Sequence, residues 1–143
     1  MGVINCFERE YAFLSNFYPS PITYEGIKYP TVEAAFQAAK TPDMHMKTAI
    51  ATAEHPGQAK RMGRKVVLRE DWEEIKDKVM EDCLKLKFSD PALREKLLAT
   101  GDEELEEGNW WHDNYWGSCY CSRCGDVGKN KLGYLLMKIR KEI

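Results

Sequence analysis

Between Tyr29 and Lys40 the chain reads Tyr-Pro-Thr-Val-Glu-Ala-Ala-Phe-Gln-Ala-Ala-Lys, and this stretch constrains the fold more than any other. Thr31 is placed to be a helix N-cap, and Pro42 ends the helix because its ring removes a main-chain donor. At ~100° per residue, Glu33, Gln37 and Lys40 fall within roughly 60° of one another on one face. Val32, Ala35, Phe36 and Ala39 form the opposite, apolar stripe. The polar stripe is flanked by Ala34, Ala38 and Thr41, all small, where a solvated helix carries long polar side chains. Two readings follow. Either an acid, an amide and an amine project into a confined site, or the helix is plainly amphipathic, with Glu33 and Lys40 complementing its dipole.

The 143 residues suffice for one domain, 1–143, with a single substantial core. Hydrophobic content of 43% and charged content of 31% are ordinary for a soluble globular protein. A net charge of −2 offers no broad attraction to nucleic acid or an anionic membrane, so any phosphate must be held by local groups. No apolar run approaches the ~20 residues of a membrane span, and no signal sequence opens the chain, so a cytoplasmic location is expected. Five cysteines in that setting argue for reduced thiols over a disulfide framework.

The pattern predicts a compact, helix-rich α+β domain with a small β-sheet. Strands are expected at Val3 to Phe7, at Ile22 to Tyr24 and Ile27 to Tyr29 as a hairpin turning at Glu25-Gly26, and at Glu103 to Glu107. Helices are expected at Met44 to Glu54 and Gly57 to Met62. A longer one should open on an Asp71-x-x-Glu74 capping box, burying Trp72, Ile75, Val79, Cys83 and Leu86. Asp90, Pro91 and Gly101 delimit a helix over Ala92 to Thr100. The last helix, Lys131 to Glu142, should bury Leu132, Leu135, Leu136, Ile139 and Ile143.

A second dense segment is Asn109-Trp-Trp-His-Asp-Asn-Tyr-Trp-Gly117. Flat aromatic surfaces beside Asp113, Asn109 and Asn114 suit stacking on a heterocycle whose edges are read by polar groups. The alternative is a loop stapled to the core by its tryptophans, with Asp113 as a turn residue. Gly125 to Asn130 leads directly into the last helix, where exposed amides and Lys129 could meet an anion. Arg61, Arg64 and Lys65 form another phosphate candidate, or a solvated helix end. Cys119, Cys121 and Cys124, with His112 upstream, have the donor types of a zinc site. The pattern lacks two separated Cys-x-x-Cys pairs, so free loop thiols are the reading taken, and neither metal nor cofactor is expected.

In order along the chain, Phe13-Leu-Ser-Asn-Phe17, Tyr29-Pro-Thr-Val-Glu33, Phe36-Gln-Ala-Ala-Lys40, Arg61-Met-Gly-Arg64, Trp72, Asp113-Asn-Tyr-Trp-Gly117 and Gly128 to Met137 followed by Arg140 resemble the motifs of the NADAR, or YbiA-like, family. The resemblance implies an N-glycosidase cleaving phosphorylated ribosylamino-pyrimidine intermediates of riboflavin synthesis. Other members remove ADP-ribose from guanine bases, which would bring contact with modified nucleic acid. The resemblance assigns functional carboxylates to Glu33 and Asp113, a lysine to Lys40 and functional aromatics to Trp72 and Trp116. It extends substrate contacts to Asn16, Phe17, Gln37, Arg61, Gly117, Lys129 and Asn130. One departure is Ala34-Ala35, where many relatives carry larger residues, a difference that bears on pocket size. The cysteine loop is similar to that of a subset of the family.

Cleaving a C1′–N bond requires support for oxocarbenium character and a proton for the leaving base. Glu33 and Asp113 could divide this work as paired carboxylates. Alternatively, an unprotonated Lys40 could exchange with the ring-opened imine of a ribosylamine, with Glu33 shuttling protons. The second route explains why a lysine belongs on that stripe. A different class of function, a non-catalytic nucleotide- or ADP-ribose-binding module stabilised by a cysteine-loop metal, is the competing reading.

Overall fold

The turn Glu25-Gly26 joins two strands, β2 (Ile22–Tyr24) and β3 (Ile27–Tyr29), in an antiparallel hairpin pairing Ile22 with Tyr29, Thr23 with Lys28 and Tyr24 with Ile27. Glu25 and Gly26 have φ of 50° and 85°, the doubly left-handed turn whose twist matches that of the flanking strands. A computed structural model describes residues 2–125 and 127–143 of the chain. The hairpin belongs to a compact unit, Asn16–Ser89; Met1–Ser15 and Asp90–Ile143 form another.

In Asn16–Ser89, β3 leads into α1 (Val32–Ala38), whose seven residues are all buried. Thr31 caps it by accepting a hydrogen bond from Ala34 N at 3.0 Å. Packed around α1 are α2 (Met44–Ala51), α3 (Pro56–Gly63) and α4 (Trp72–Lys87), so a short central helix is sheathed by three others. Phe36 on α1 meets Trp72 at the start of α4 with ring centroids 5.1 Å apart.

Helix α4 departs from expectation in two ways. Asp71 makes no side-chain cap; its carboxylate takes two hydrogen bonds from Arg69 at 2.6 and 3.2 Å, and its ψ of 11° is not the extended value of an N-cap. The buried stripe is also rotated. Trp72, Val79 and Cys83 are inside as expected, but Ile75 is half-buried and Leu86 is 38% exposed, while Met80, Leu84 and Lys87 are buried. Positions 72, 76, 80, 83, 84 and 87 form a helical face, and it passes through Lys87, not Leu86.

In the other unit, β1 (Val3–Ile4) pairs in parallel with β4 (Glu104–Leu105), and β5 (Gly108–Asn109) with β6 (Ser118–Cys119). A short 3₁₀ helix, Arg9–Leu14, packs against α5 (Pro91–Ala99), which starts at a working cap: Asp90 accepts from Leu93 N at 3.0 Å. Helix α6 (Lys131–Glu142) packs on β4 and buries Leu132, Leu136 and Ile139; Leu135 and Ile143 are half-buried. Short strands between helices make the class α+β, as expected. Among the described residues, no helix is long and apolar enough to cross a membrane.

Candidate active site

Helix α1 presents Glu33 and Gln37 one turn apart, only 7% and 5% exposed. Gln37 Nε2 donates to Glu33 Oε2 at 2.6 Å, fixing the carboxylate and the amide as a pair. Glu33 is further set by its main chain, whose N–H donates to Asn16 O at 3.1 Å. Two buried acceptors in this unit, Gln37 Oε1 and Asn16 Oδ1, have no hydrogen-bond partner. Leaving such an acceptor dry costs about 1–3 kcal/mol, so orphans of this kind mark places where a ligand or water donates.

Sequence reasoning overlooked why Gly63 ends α3. A Cβ there would overlap Gln37 Oε1 and crowd Gln37 Cβ, so glycine alone leaves room beside the unpartnered oxygen. The available signal was a glycine late in a helix, within Arg61-Met-Gly-Arg64.

Lys40 lies just past the end of α1, half-buried, with Nζ 5.9 Å from the centre of the Phe36 ring. Burial lowers its basicity. Glu33 opposes that effect, and the nearby cations Arg64, Lys60 and Lys76 add to it. An amine so placed sheds its proton more readily than an exposed lysine, which is the requirement for a lysine nucleophile. Lys60, Arg61 and Arg64 all project from α3 and its cap, and Arg61, Arg64 and Lys65 are exposed.

A second amine went unanticipated. Lys87 is 1% exposed, with Nζ 5.7 Å from the Tyr18 ring and 5.2 Å from the Phe88 ring, and burial pushes it down to about 7. Its spacing of four from Cys83 was the signal. Of the two lysines, only Lys40 has a surface a substrate could approach. Trp72 is buried against Phe36, as its place on the α4 core face required, whereas Phe17 is exposed.

The residues expected from the second dense segment lie in the other unit. Asp113 Oδ1 accepts from Tyr115 N at 3.1 Å and Trp116 N at 2.9 Å, so this carboxylate oxygen shapes a turn. Asn109 organises the same loop. Its Oδ1 takes the amides of Trp111 and Asp113, and its Nδ2 donates to Asp113 O at 2.9 Å. Trp110 and Trp111 are 68% and 61% exposed, so neither staples the loop. Trp116 is half-buried and edge-on to Tyr115, with centroids 4.9 Å apart. Gly117 is buried where a Cβ would strike Glu107 O.

At the anion site anticipated between Gly125 and Asn130, the amides of Lys129, Asn130, Lys131 and Leu132 donate to the carbonyls of Asn114, Gly117, Tyr115 and Trp116, so these four are not open to an anion. Asn130 is likewise structural: its Oδ1 accepts from Glu107 N and its Nδ2 donates to Leu105 O, both at 3.0 Å. Lys129 Nζ stands 5.5 Å from the centre of the Tyr115 ring. Asp126, within the same segment, lies outside the described residues. The loop also gathers His112, Cys119, Cys121 and Cys124, whose ligand atoms lie within 4.8 Å of one another.

Comparison with known proteins identifies the family. The model of the NADAR domain matches residues 5–143. The chain is 40% identical over 137 residues to the N-glycosidase YbiA of Escherichia coli strain K12, across 94% of this chain and 82% of that protein. It is 37% identical over 140 residues to a riboflavin biosynthesis protein of Vibrio vulnificus strain YJ016, across 95% of this chain and 36% of that one. The NMR structure of the Escherichia coli protein YbiA matches the fold with a TM-score of 0.82 at 38% identity, across 99% of this chain and 87% of the other.

Proposed function

The chain belongs to the NADAR domain family and is an N-glycosidase, and we propose that it hydrolyses the C1′–N bond of a ribosylamino-pyrimidine 5′-phosphate of riboflavin synthesis. The observation that carries the proposal is the α1 stripe: a half-buried amine of lowered basicity, Lys40, following a buried Glu33 held by Gln37. The riboflavin-related name of the Vibrio relative supports the choice of substrate.

Ribosylamines open to an imine at C1′. The Lys40 amine adds to that carbon, giving a carbon that bears both nitrogens. Expulsion of the pyrimidine nitrogen, with a proton delivered by Glu33, leaves C1′ doubly bonded to Lys40. Water then adds to this imine, the sugar leaves as an aldehyde phosphate, and Lys40 returns as a free amine. The sum is substrate plus water giving aminopyrimidine plus ribose 5-phosphate. Gln37 positions Glu33 throughout, and the cations on α3 offer charge for the phosphate.

The two-carboxylate route is less well supported, since one Asp113 oxygen is committed to the amides of Tyr115 and Trp116. Turnover of the pyrimidine phosphate, set beside that of ADP-ribosylated guanosine with product analysis, tests the proposal. Faster release of ribose 5-phosphate from the pyrimidine is expected. Preference for ADP-ribosyl-guanosine would overturn the substrate, and no turnover of either would overturn the hydrolase reading.

A further inference from the structure

The loop that carries Asp113 and Trp116 holds a feature that glycoside hydrolysis does not use. His112 Nδ1 lies 3.3 Å from Cys121 Sγ, 3.3 Å from Cys124 Sγ and 3.7 Å from Cys119 Sγ. Hydrogen bonding cannot account for three such contacts at once. An imidazole nitrogen carries either one hydrogen or one lone pair, so it serves one sulfur well and not three.

A single ion at the centre accounts for all of them. Zinc–sulfur bonds of about 2.3 Å and a zinc–nitrogen bond of about 2.0 Å, at tetrahedral angles, put nitrogen and sulfur roughly 3.5 Å apart. The observed separations bracket that value, and all four ligand atoms fall within 4.8 Å of one another. We propose that His112, Cys119, Cys121 and Cys124 form a structural zinc site.

Surrounding contacts hold the sulfur in place. Cys121 N donates to Cys119 Sγ at 3.5 Å, and Asn114 Oδ1 accepts from Cys119 N at 2.9 Å, anchoring the strand that presents that sulfur. His112, whose Nδ1 faces the three sulfurs, has a φ of 69°, an uncommon conformation for a non-glycine residue. Cys119 is buried, Cys121 and Cys124 are half-buried and His112 is exposed, so the ion can enter from solvent. Four protein ligands fill a tetrahedral zinc, leaving no open position for water, so the ion's part is structural and not catalytic. Its consequence is mechanical. The ion would tie β6 and the segment after it to the residue preceding Asp113, so the turn that presents Trp116 is fixed at both ends.

Metal content of the full-length protein, purified from zinc-supplemented culture without chelator, tests this directly. One zinc per chain is expected, and its loss from the Cys121→Ser/Cys124→Ser variant. Should that variant fail to fold, cobalt added to chelator-stripped wild-type protein decides. Visible bands of tetrahedral cobalt with sulfur-to-cobalt charge transfer are expected. Protein isolated without stoichiometric zinc and giving no such bands would overturn the site. So would a disulfide among the three cysteines detected by intact mass, or zinc retained in a folded double variant.

Discussion

Gly63 lies against Gln37 so closely that any side chain at position 63 would overlap the amide oxygen. Through Gln37 that contact reaches Glu33, which Gln37 holds at 2.6 Å. A helix end with no chemistry of its own therefore sets the position of the acid proposed for catalysis. The Gly63→Ala variant should lose stability by about 1–3 kcal/mol through overpacking, and lose turnover as well. Gly57→Ala on the same helix is the control, since the nearest atom to its Cβ is Arg61 Nη1 at 3.8 Å, an ordinary contact. Thermal melts and steady-state rates of both variants check this. Equal behaviour of the two would remove Gly63 from the site.

Glu33→Gln keeps the shape and the partner of the buried side chain but cannot move a proton. Loss of a positioned acid or base typically slows turnover by about 10²–10⁴-fold, and that range is expected with an unchanged melting temperature. A variant close to wild-type rate would assign Glu33 to packing alone.

Burial of Lys87 has a thermodynamic signature. Its folded value of about 7 lies below the ordinary lysine value of 10.5 that holds in the unfolded chain, so between these limits the unfolded chain binds more protons than the folded one. Stability from this group is therefore lowest below about pH 7 and rises as pH climbs towards the unfolded value. Tyr24, Tyr29 and Cys83, all pushed up to about 12, act in the opposite sense and weaken the fold once pH passes their unfolded values of 10.0, 10.0 and 9.0. Between pH 7 and 9 Lys40 and Cys121, whose values are also lowered, add to the same rise, so it is the comparison of denaturant midpoints between wild type and Lys87→Met that isolates Lys87. Lys87→Met should flatten the rise in that window, and an unchanged slope would contradict the assignment.

Trp116 offers a half-buried indole on a loop held by Asp113 and Asn109. If it stacks on the base of the substrate, Trp116→Ala weakens binding by about 1–3 kcal/mol. Affinity for a non-hydrolysable analogue, measured by calorimetry, reads this out. Unchanged affinity places the indole in the core.

Much of the fold was legible where local chemistry decides it. Glu25-Gly26 specified the hairpin, Asp90-Pro91 the start of α5, and the apolar period of α6 its bounds, Lys131–Glu142. What escaped depended on partners far along the chain. Two-residue strands such as β5 and β6 carry no period, and their pairing is visible only once Gly108 meets Ser118. The capping box failed because Arg69 competes for Asp71, and the amides of Asn130, Lys131 and Leu132 are closed to an anion because the Tyr115–Gly117 carbonyls reach them first. At the candidate site, the Glu33–Gln37–Lys40 stripe could be read from spacing. The need for Gly63 could not, because it is a contact between elements, and the His112 and three-cysteine set was visible by donor type but its convergence was not, because it depends on how the loop closes.

Sodium borohydride added during turnover, followed by peptide mapping, decides whether Lys40 forms a covalent imine with the sugar. A reduced sugar phosphate attached to Lys40 is expected in the wild-type protein, and none in Lys40→Arg. Active enzyme that yields no adduct, or an adduct on another lysine such as Lys87, would contradict it.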